Sequence, residues 1–380
     1  MTANFDIPAT SRAAVITEFG ADLEVRELPI PDLEPGALLV RIEAATVCGS
    51  DVHVWDGSLH AGGVRPIVPP VVPGHEMTGV VVSMAGDDIG YTGGGRVAMG
   101  DRIVFTQGRC GTCYHCAVAG QPNLCSHRRN YGDNCDNHPY LVGGFAEYCY
   151  VYPSSRKIKV PDDVAPEWAS AGSCALRTVI AAYERLGRIE PWQTVVIQGP
   201  GPLGLFATAL AKRSGAARII VIGAPAARLE LAREWGATDL ISVDDAPDAE
   251  TRVSTVRELT GGNGAEIVQE WSGAGSAFAE GLDMVRRGGR FLVGGQVGPH
   301  HVTIQPAKIM KNHLDIIGSM SADDSHYWKA MQFLSQAKQE FDFDRLMTTR
   351  YGLHDVTAAL RGMQNLSEIK PVIDPRLLAS

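Results

Sequence analysis

Thr194-Val195-Val196-Ile197-Gln198-Gly199-Pro200-Gly201-Pro202-Leu203-Gly204 is the stretch that decides the fold. A buried-strand run passes into a glycine-rich turn, and a helical pattern follows to about Arg213. The turn fits G-x-G-x-x-G, whose glycines permit a tight turn, close approach of backbone to a pyrophosphate, and close helix–strand packing. A helix opening at Pro202 and Leu203 presents free N–H groups and a positive dipole end to phosphate. Downstream the alternation continues. Arg218–Ile222 reads as a strand, Ala226–Trp235 as a helix, Ala265–Glu270 as a strand, Ser276–Arg287 as a helix and Arg290–Val293 as a strand. Strands alternating with helices of about 10–15 residues mean βαβ units around a parallel sheet. The expectation is a doubly wound α/β domain that holds a dinucleotide.

Such a site normally has an acidic residue about 20 positions beyond the motif, at the end of the second strand, to accept from the ribose 2′-hydroxyl. This chain reads Ile222-Gly223-Ala224-Pro225 there. Gly223 offers no carboxylate to a 2′-hydroxyl and none to repel a 2′-phosphate. Arg228, in the following helix, can meet either form or stand as a solvated helix charge. NAD and NADP both remain open.

The region before this domain has another character. Ala13–Ile16, Leu38–Ile42 and Val80–Val82 are short β-type runs separated by Gly, Pro and Asp, so an irregular, mostly β domain is expected. Helical spacing begins near Pro166 and runs to Gly187, and from about Ile317 the chain returns to helices of mixed polarity. A length of 380 residues suits two domains. With 45% apolar and 20% charged residues the composition is that of an ordinary globular protein. The net charge of −9 and the lack of a basic stripe argue against a nucleic-acid partner. No apolar run reaches the ~18 residues of a membrane span. The N-terminus shows no basic patch followed by an apolar stretch, so no export signal is visible and a cytoplasmic location is expected.

Eight cysteines in a reducing compartment call for a reason other than disulfides. Cys110, Cys113, Cys116 and Cys125 cluster between Gly108 and His127. Zinc favours tetrahedral thiolate coordination, and four sulfurs close the shell, so this lobe is read as a structural zinc site. A second set is scattered: Cys48-Gly49-Ser50-Asp51-Val52-His53, Gly74-His75-Glu76-Met77-Thr78-Gly79, and Cys174 four residues before Thr178. Singly, each of these has a bland alternative, a small buried thiol or a satisfied core histidine. Cys135 and Cys149 match no chemistry and are read as free, partly buried thiols.

With these motifs in this order, the chain resembles the zinc-containing medium-chain alcohol dehydrogenases essentially from end to end. The resemblance implies a GroES-like catalytic domain over residues 1–168 and 317–380, with its structural zinc lobe at 108–127, and a Rossmann coenzyme domain over 169–316. It implies that Cys48, His75 and Cys174 ligate a catalytic zinc, leaving a fourth position for water or substrate oxygen. Glu76 resembles the carboxylate that approaches the metal from behind its ligands, and Asp51 the residue that orients the His75 ring. Ser50 would touch a zinc-bound alkoxide and pass its proton through the nicotinamide ribose towards His53. Thr178 and Lys370 resemble coenzyme contacts, at the nicotinamide side and the pyrophosphate. The implied activity is reversible hydride transfer between an alcohol, secondary or cyclic by inclination, and NAD or NADP. Two zinc ions per chain and a homodimer or homotetramer come with it.

Three features depart from the family pattern: a longer Cys116–Cys125 spacing, a lengthened Gly-rich segment from Met84 to Gly100, and Gly223 itself. Two rival readings share parts of these signals. A zinc-free enone or quinone reductase of the same superfamily would lack Cys48, His75 and the cysteine lobe. A zinc-dependent regulatory or nucleic-acid-binding protein is disfavoured by the charge. Trp55, the His60–Pro70 loop and the neighbourhood of Met320 are expected pocket walls, with His60 and Arg65 as polar contacts or merely solvated side chains.

Overall fold

The computed structural model describes residues 5–61, 66–295 and 301–377. The chain forms two compact units: residues 1–177, 321–338 and 343–380 make the first, and residues 178–320 with 339–342 the second. The first crossing thus falls at Arg177/Thr178 rather than at 168/169, which leaves Cys174 in the first unit. The helical spacing from Pro166 onward resolves into a helix at Pro166–Ala171, a π-helical turn at Gly172–Leu176 and a second helix at Arg177–Leu186. Among the described residues no helix is long and apolar enough to cross a membrane.

The first unit is built on a seven-stranded sheet. Its order runs Met347–Tyr351, Lys370–Ile373, Leu38–Thr46, Met77–Met84, Arg102–Phe105, Lys157–Lys159, and Tyr148–Val151 also pairs with Leu38–Thr46. Leu38–Thr46 is almost wholly buried, as its near-continuous apolar sequence demands. Val15, Leu39, Val72, Val82 and Leu141 pack together in one of its cores. Each such side chain contributes about 1.5–3 kcal/mol by leaving water. The two short strands Met347–Tyr351 and Lys370–Ile373 correct the expectation that the C-terminal tail is simply helical. Too brief to show a period, they take their place through pairing with Leu38–Thr46 and with each other.

One pairing matters most for the site. Leu38–Thr46 and Met77–Met84 run antiparallel, with Ala45 opposite Met77. The end of one strand therefore lies beside the start of the other. Cys48 follows the first strand and His75-Glu76 precede the second, so the register alone brings them together.

The second unit holds a six-stranded sheet in the order Asp239–Ser242, Arg218–Gly223, Thr194–Gln198, Ala265–Glu270, Val285–Val293, Asp315–Gly318. Every neighbouring pair is parallel. Numbered along the chain this is 3-2-1-4-5-6, the doubly wound order, whose reversal point lies beside the first strand. Helices cover it, and Val196, Ile220, Val268, Leu282 and Phe291 form its core. The helix expected to reach Arg287 ends at Met284, because the strand already begins at Val285.

Candidate active site

Cys48 caps the short helix Gly49–Trp55. Asp51, one turn into that helix, turns back so that its Oδ2 accepts from the Cys48 N–H at 2.9 Å. Its Oδ1 accepts from the Gly74 N–H at 3.2 Å and lies 2.9 Å from His75 Nδ1. One buried carboxylate thereby fixes the backbone beside one sulfur donor and the ring of the imidazole donor. With Nδ1 so engaged, Nε2 is left to face inward. Burial opposes the His75 charge, yet Asp51 holds its pKa well above the ordinary value. The Cys174 sulfur lies 3.5 Å from that Nε2. One donor atom each from Cys48, His75, Glu76 and Cys174 lies within 4.8 Å of the others. Two soft sulfurs, one imidazole nitrogen and one carboxylate are a donor set that suits zinc. The Cys48 thiol is pushed up to about 11, first by its contact with Cys174 and then by burial.

Glu76 is fully buried. Its Oε2 accepts from Thr46 Oγ1 at 2.6 Å and from Lys370 Nζ at 2.5 Å, whereas Oε1 has no hydrogen-bond partner among the described residues. Burial pushes its carboxyl up to about 7. The Lys370 ammonium, buried at 1% exposure, is held up to about 12 by Glu76 against the desolvation that opposes it. The expectation for Lys370 named no such partner: in the structure its ammonium is paired with Glu76. Ser170 adds a second tie, its Oγ meeting the Thr46 N–H at 2.9 Å and the Glu76 carbonyl at 3.1 Å. Neither Thr46 nor Ser170 was legible in the sequence, where both look like ordinary small polar residues.

Ser50 Oγ lies 3.8 Å from the Cys48 sulfur. His53, three residues further along the same helix, lies on the same face. Its Nδ1 is 2.9 Å from Ser58 Oγ and 4.0 Å from Asp56 Oδ2, so Ser58 is a third residue that sequence reasoning missed. The expected pocket walls fare variously. Trp55 is buried and donates from Nε1 to the Ala21 carbonyl at 2.6 Å. His60 Nδ1 accepts from the Ile67 N–H at 3.1 Å. Arg65 lies outside the described residues.

Cys110, Cys113, Cys116 and Cys125 converge, again within 4.8 Å. The Cys125 sulfur stands 3.5 Å from that of Cys110 and 4.0 Å from that of Cys113. Tetrahedral zinc with bonds of ~2.3 Å sets its sulfurs about 3.8 Å apart, so the spacing fits. Backbone N–H groups of Cys113 and Thr112 draw the Cys110 thiol down to about 5. The longer Cys116–Cys125 spacing is taken up by the short 3-10 turn Pro122–Leu124. Arg109 anchors the lobe, donating to Asp324 Oδ1 at 2.5 Å and to the Ala322 carbonyl at 2.9 Å. Cys135 and Cys149 are buried free thiols.

In the second unit, Gly199 turns at φ +99°, where a Cβ would stand 2.7 Å from the Ser272 backbone. A Cβ on Gly204 would overlap the Gly199 carbonyl, so helix and turn touch through bare backbone. Beside Gly201 nothing lies within 4 Å of the Cβ position. That open cradle at the start of the helix Pro202–Arg213 is what a pyrophosphate requires. Leu203 is half-buried in its first turn. Gly223 ends the second strand, as expected. Arg228 is buried rather than solvated, and Thr178 is buried in the first turn of its helix.

Comparison with known proteins agrees with this chemistry. Residues 34–162 match the model of the alcohol dehydrogenase GroES-like domain, and residues 202–336 that of the zinc-binding dehydrogenase domain. A 5-exo-hydroxycamphor dehydrogenase of Pseudomonas putida is 32% identical over 377 residues, covering 97% of this chain and 99% of the relative. An alcohol dehydrogenase of Geobacillus stearothermophilus is 32% identical, over 86% of this chain and 90% of its own. The crystal structure of a Thermotoga maritima alcohol dehydrogenase superposes with a TM-score of 0.88 at 31% identity, covering 97% of this chain and 100% of that one. The chain belongs to the zinc-containing medium-chain alcohol dehydrogenases, NAD(P)-dependent oxidoreductases that act on alcohols.

Proposed function

We propose that this protein is a two-zinc dehydrogenase that moves hydride reversibly between a secondary or cyclic alcohol and NAD(P), in the cytoplasm and as a homo-oligomer. The observation that carries the reading is the convergence of Cys48, His75 and Cys174, drawn from three separate segments, beside the orphaned Oε1 of Glu76. Three firm donors leave room at a fourth position, which a reactive centre needs, whereas the four thiolates of the lobe close theirs. When bound at the first site, zinc supplies the Lewis acidity that makes an alcohol's proton labile near neutral pH, while the nicotinamide takes the hydride.

The chain's own residues do the rest. Asp51 keeps the His75 ring and the Cys48 backbone in one orientation. Ser50, beside the Cys48 sulfur, receives the alcohol's proton, and His53, one turn along, is the base towards which it passes. Ser58 orients the His53 ring. In the second unit Gly199, Gly201, Pro202, Leu203 and Gly204 receive the pyrophosphate, with Gly223 and Arg228 towards the ribose and Thr178 towards the nicotinamide. The leaning to secondary and cyclic alcohols is supported by relatives that are 5-exo-hydroxycamphor, L-threonine 3- and sorbitol dehydrogenases.

The test is a panel of primary, secondary and cyclic alcohols offered with each coenzyme, read at the reduced-nicotinamide absorbance, alongside metal analysis. Two zinc ions per chain and turnover of secondary alcohols are expected. Zinc near one or none per chain, or no oxidation of any alcohol, would overturn the reading.

A further inference from the structure

The turn that carries Cys174 is not α-helical. Over Gly172–Leu176 the backbone is wound as a π-helix, and the Arg177 N–H reaches the carbonyls of Gly172 and Cys174. In an α-helix that N–H would serve the Ser173 carbonyl. Widening of this kind leaves a carbonyl in need of another donor, and single π-turns recur at functional sites. Here the substitute is the side chain of Arg177 itself: Nε donates to the Ser173 carbonyl at 2.8 Å.

The rest of the guanidinium is fastened elsewhere. Nη1 donates to Ser321 Oγ at 2.9 Å, and Cζ stands 5.0 Å from the centre of the Tyr327 ring. Tyr327 lies in the first turn of the helix Asp324–Ala337. The same helix presses on the other end of the π-turn. A Cβ on Gly172 would stand 2.8 Å from Leu334 Cδ1 and 2.9 Å from Met331 Cε. Arg177 is buried, and among the described residues no ion pair joins its guanidinium to a carboxylate, although Glu76 and the Cys174 and Cys48 sulfurs lie near enough to favour its charge. Its guanidinium is engaged by a carbonyl, a hydroxyl and an aromatic face. A buried cation with no anion in direct contact is costly unless its hydrogen bonds are fixed.

We infer that Arg177 is a positioning residue for the metal centre: it takes the carbonyl that the widened turn releases, fastens that turn to Ser321 and Tyr327, and so sets where the Cys174 sulfur stands relative to Cys48 and His75. The inference rests on Cys174 ligating the catalytic metal. Relaxing the π-turn to an α-turn changes the helical register by one residue, about 100° of rotation, which would swing Cys174 away from the His75 Nε2.

The experiment strips metal from the full-length protein and titrates Zn²⁺ and Co²⁺ back against a competing chelator. Arg177→Met keeps the bulk of the side chain but removes its donors. It is expected to lose about 10–100-fold in affinity at one site, the range for removing a group that orients a ligand, with the lobe site unchanged. The visible cobalt–thiolate bands of that one site should shift. Arg177→Lys, which can reach the Ser173 carbonyl but not also Ser321, should recover part of the loss. Ser321→Ala, which removes only the far anchor, should show a smaller loss at the same site.

Wild-type affinity and cobalt spectrum in Arg177→Met overturn the inference. If that variant does not fold, the same result in both Arg177→Lys and Ser321→Ala overturns it. Cys174→Ala separates the two levels. If it still binds both metals as the wild type does, the ligand assignment fails and the role of Arg177 falls with it. If it loses one metal while the Arg177 and Ser321 variants bind normally, only the role of Arg177 fails.

Discussion

The two units make their sites from different atoms. In the second unit the proposed coenzyme cradle is backbone: eleven consecutive residues, 194–204, supply a strand, a turn and the start of a helix, and what distinguishes Gly199, Gly201 and Gly204 is the lack of a side chain. In the first unit the site is made of side chains, from positions 48, 75, 76 and 174, and each needs another residue to hold it: Asp51 for His75, Thr46 and Lys370 for Glu76. Grasping a pyrophosphate takes N–H groups and room, which one βαβ turn provides. Holding a metal with an open position takes donors fixed from several directions. The first unit accordingly spends buried hydrogen bonds and a buried ion pair where the second spends glycines.

If that contrast is right, substitutions should cost most where side chains share one ion. The cysteine lobe is the extreme case, since a structural zinc can carry on the order of 10 kcal/mol of folding free energy. Cys113→Ser is expected to lose the lobe metal and to lower thermal stability far more than it lowers turnover per folded molecule. Two zinc ions and an unchanged melting temperature would remove the structural assignment. His75→Ala comes next. It should lose the other zinc and about 10³-fold or more in kcat/KM, while still melting cooperatively and still quenching or enhancing fluorescence on binding coenzyme. A His75→Ala enzyme at full activity would end the ligand assignment.

The same contrast explains what could be read in advance. The coenzyme loop and the cysteine lobe are contiguous, so periodicity and spacing expose them. The pairing of Leu38–Thr46 with Met77–Met84, which brings Cys48 to His75, is a matter of register between distant segments and has no local signature. Cys48, His75 and Cys174 could be grouped only through the resemblance of the whole motif set. Thr46, Ser170 and Ser58 escaped because small hydroxyl residues are common everywhere, and their importance lies in what the fold places beside them. Lys370 was singled out, but its pairing with Glu76 was not legible: its position late in the chain looks exposed, whereas the strand Lys370–Ile373 buries it against the sheet and on Glu76. The π-turn at Gly172–Leu176 lies inside an unbroken helical pattern and leaves no trace in it.

A gentler substitution tests the proton route rather than the metal. Ser50→Ala leaves every candidate ligand in place, so both zinc ions should remain. Hydride transfer in a single turnover should slow on the order of 10²-fold, the usual contribution of a positioned acid or base. His53→Gln should slow it less, and its loss should be partly recovered by small imidazole-like bases in the buffer. If Ser50→Ala runs at wild-type speed, the proton leaves by another path, and the placing of Ser50 beside the Cys48 sulfur is packing alone.

The smallest effect is expected in the backbone-built cradle, and there the structure reverses a simple expectation. On sequence grounds Gly223→Asp should turn the enzyme towards NAD, since a carboxylate accepts from the 2′-hydroxyl and repels a 2′-phosphate. A Cβ at Gly223 would, however, overlap Cδ of Pro200, which sits between Gly199 and Gly201. The proline ring cannot swing aside as a flexible side chain would, so the new side chain displaces the loop proposed to receive the pyrophosphate. Gly223→Asp alone should therefore weaken both coenzymes together and destabilise the unit by ~1–3 kcal/mol, the usual result of overpacking. Gly223→Asp with Pro200→Ala removes the obstructing Cδ. That pair should recover part of the stability, the φ of +159° at position 223 still straining a side chain, and shift preference towards NAD by ~1–3 kcal/mol, the worth of a hydrogen bond to a charged group together with repulsion of the phosphate. Thermal melts and kcat/KM with NAD and NADP for both variants decide it. If Gly223→Asp alone switches the coenzyme at wild-type stability, Pro200 is not the obstacle, and the cradle tolerates side chains better than its bare backbone implies.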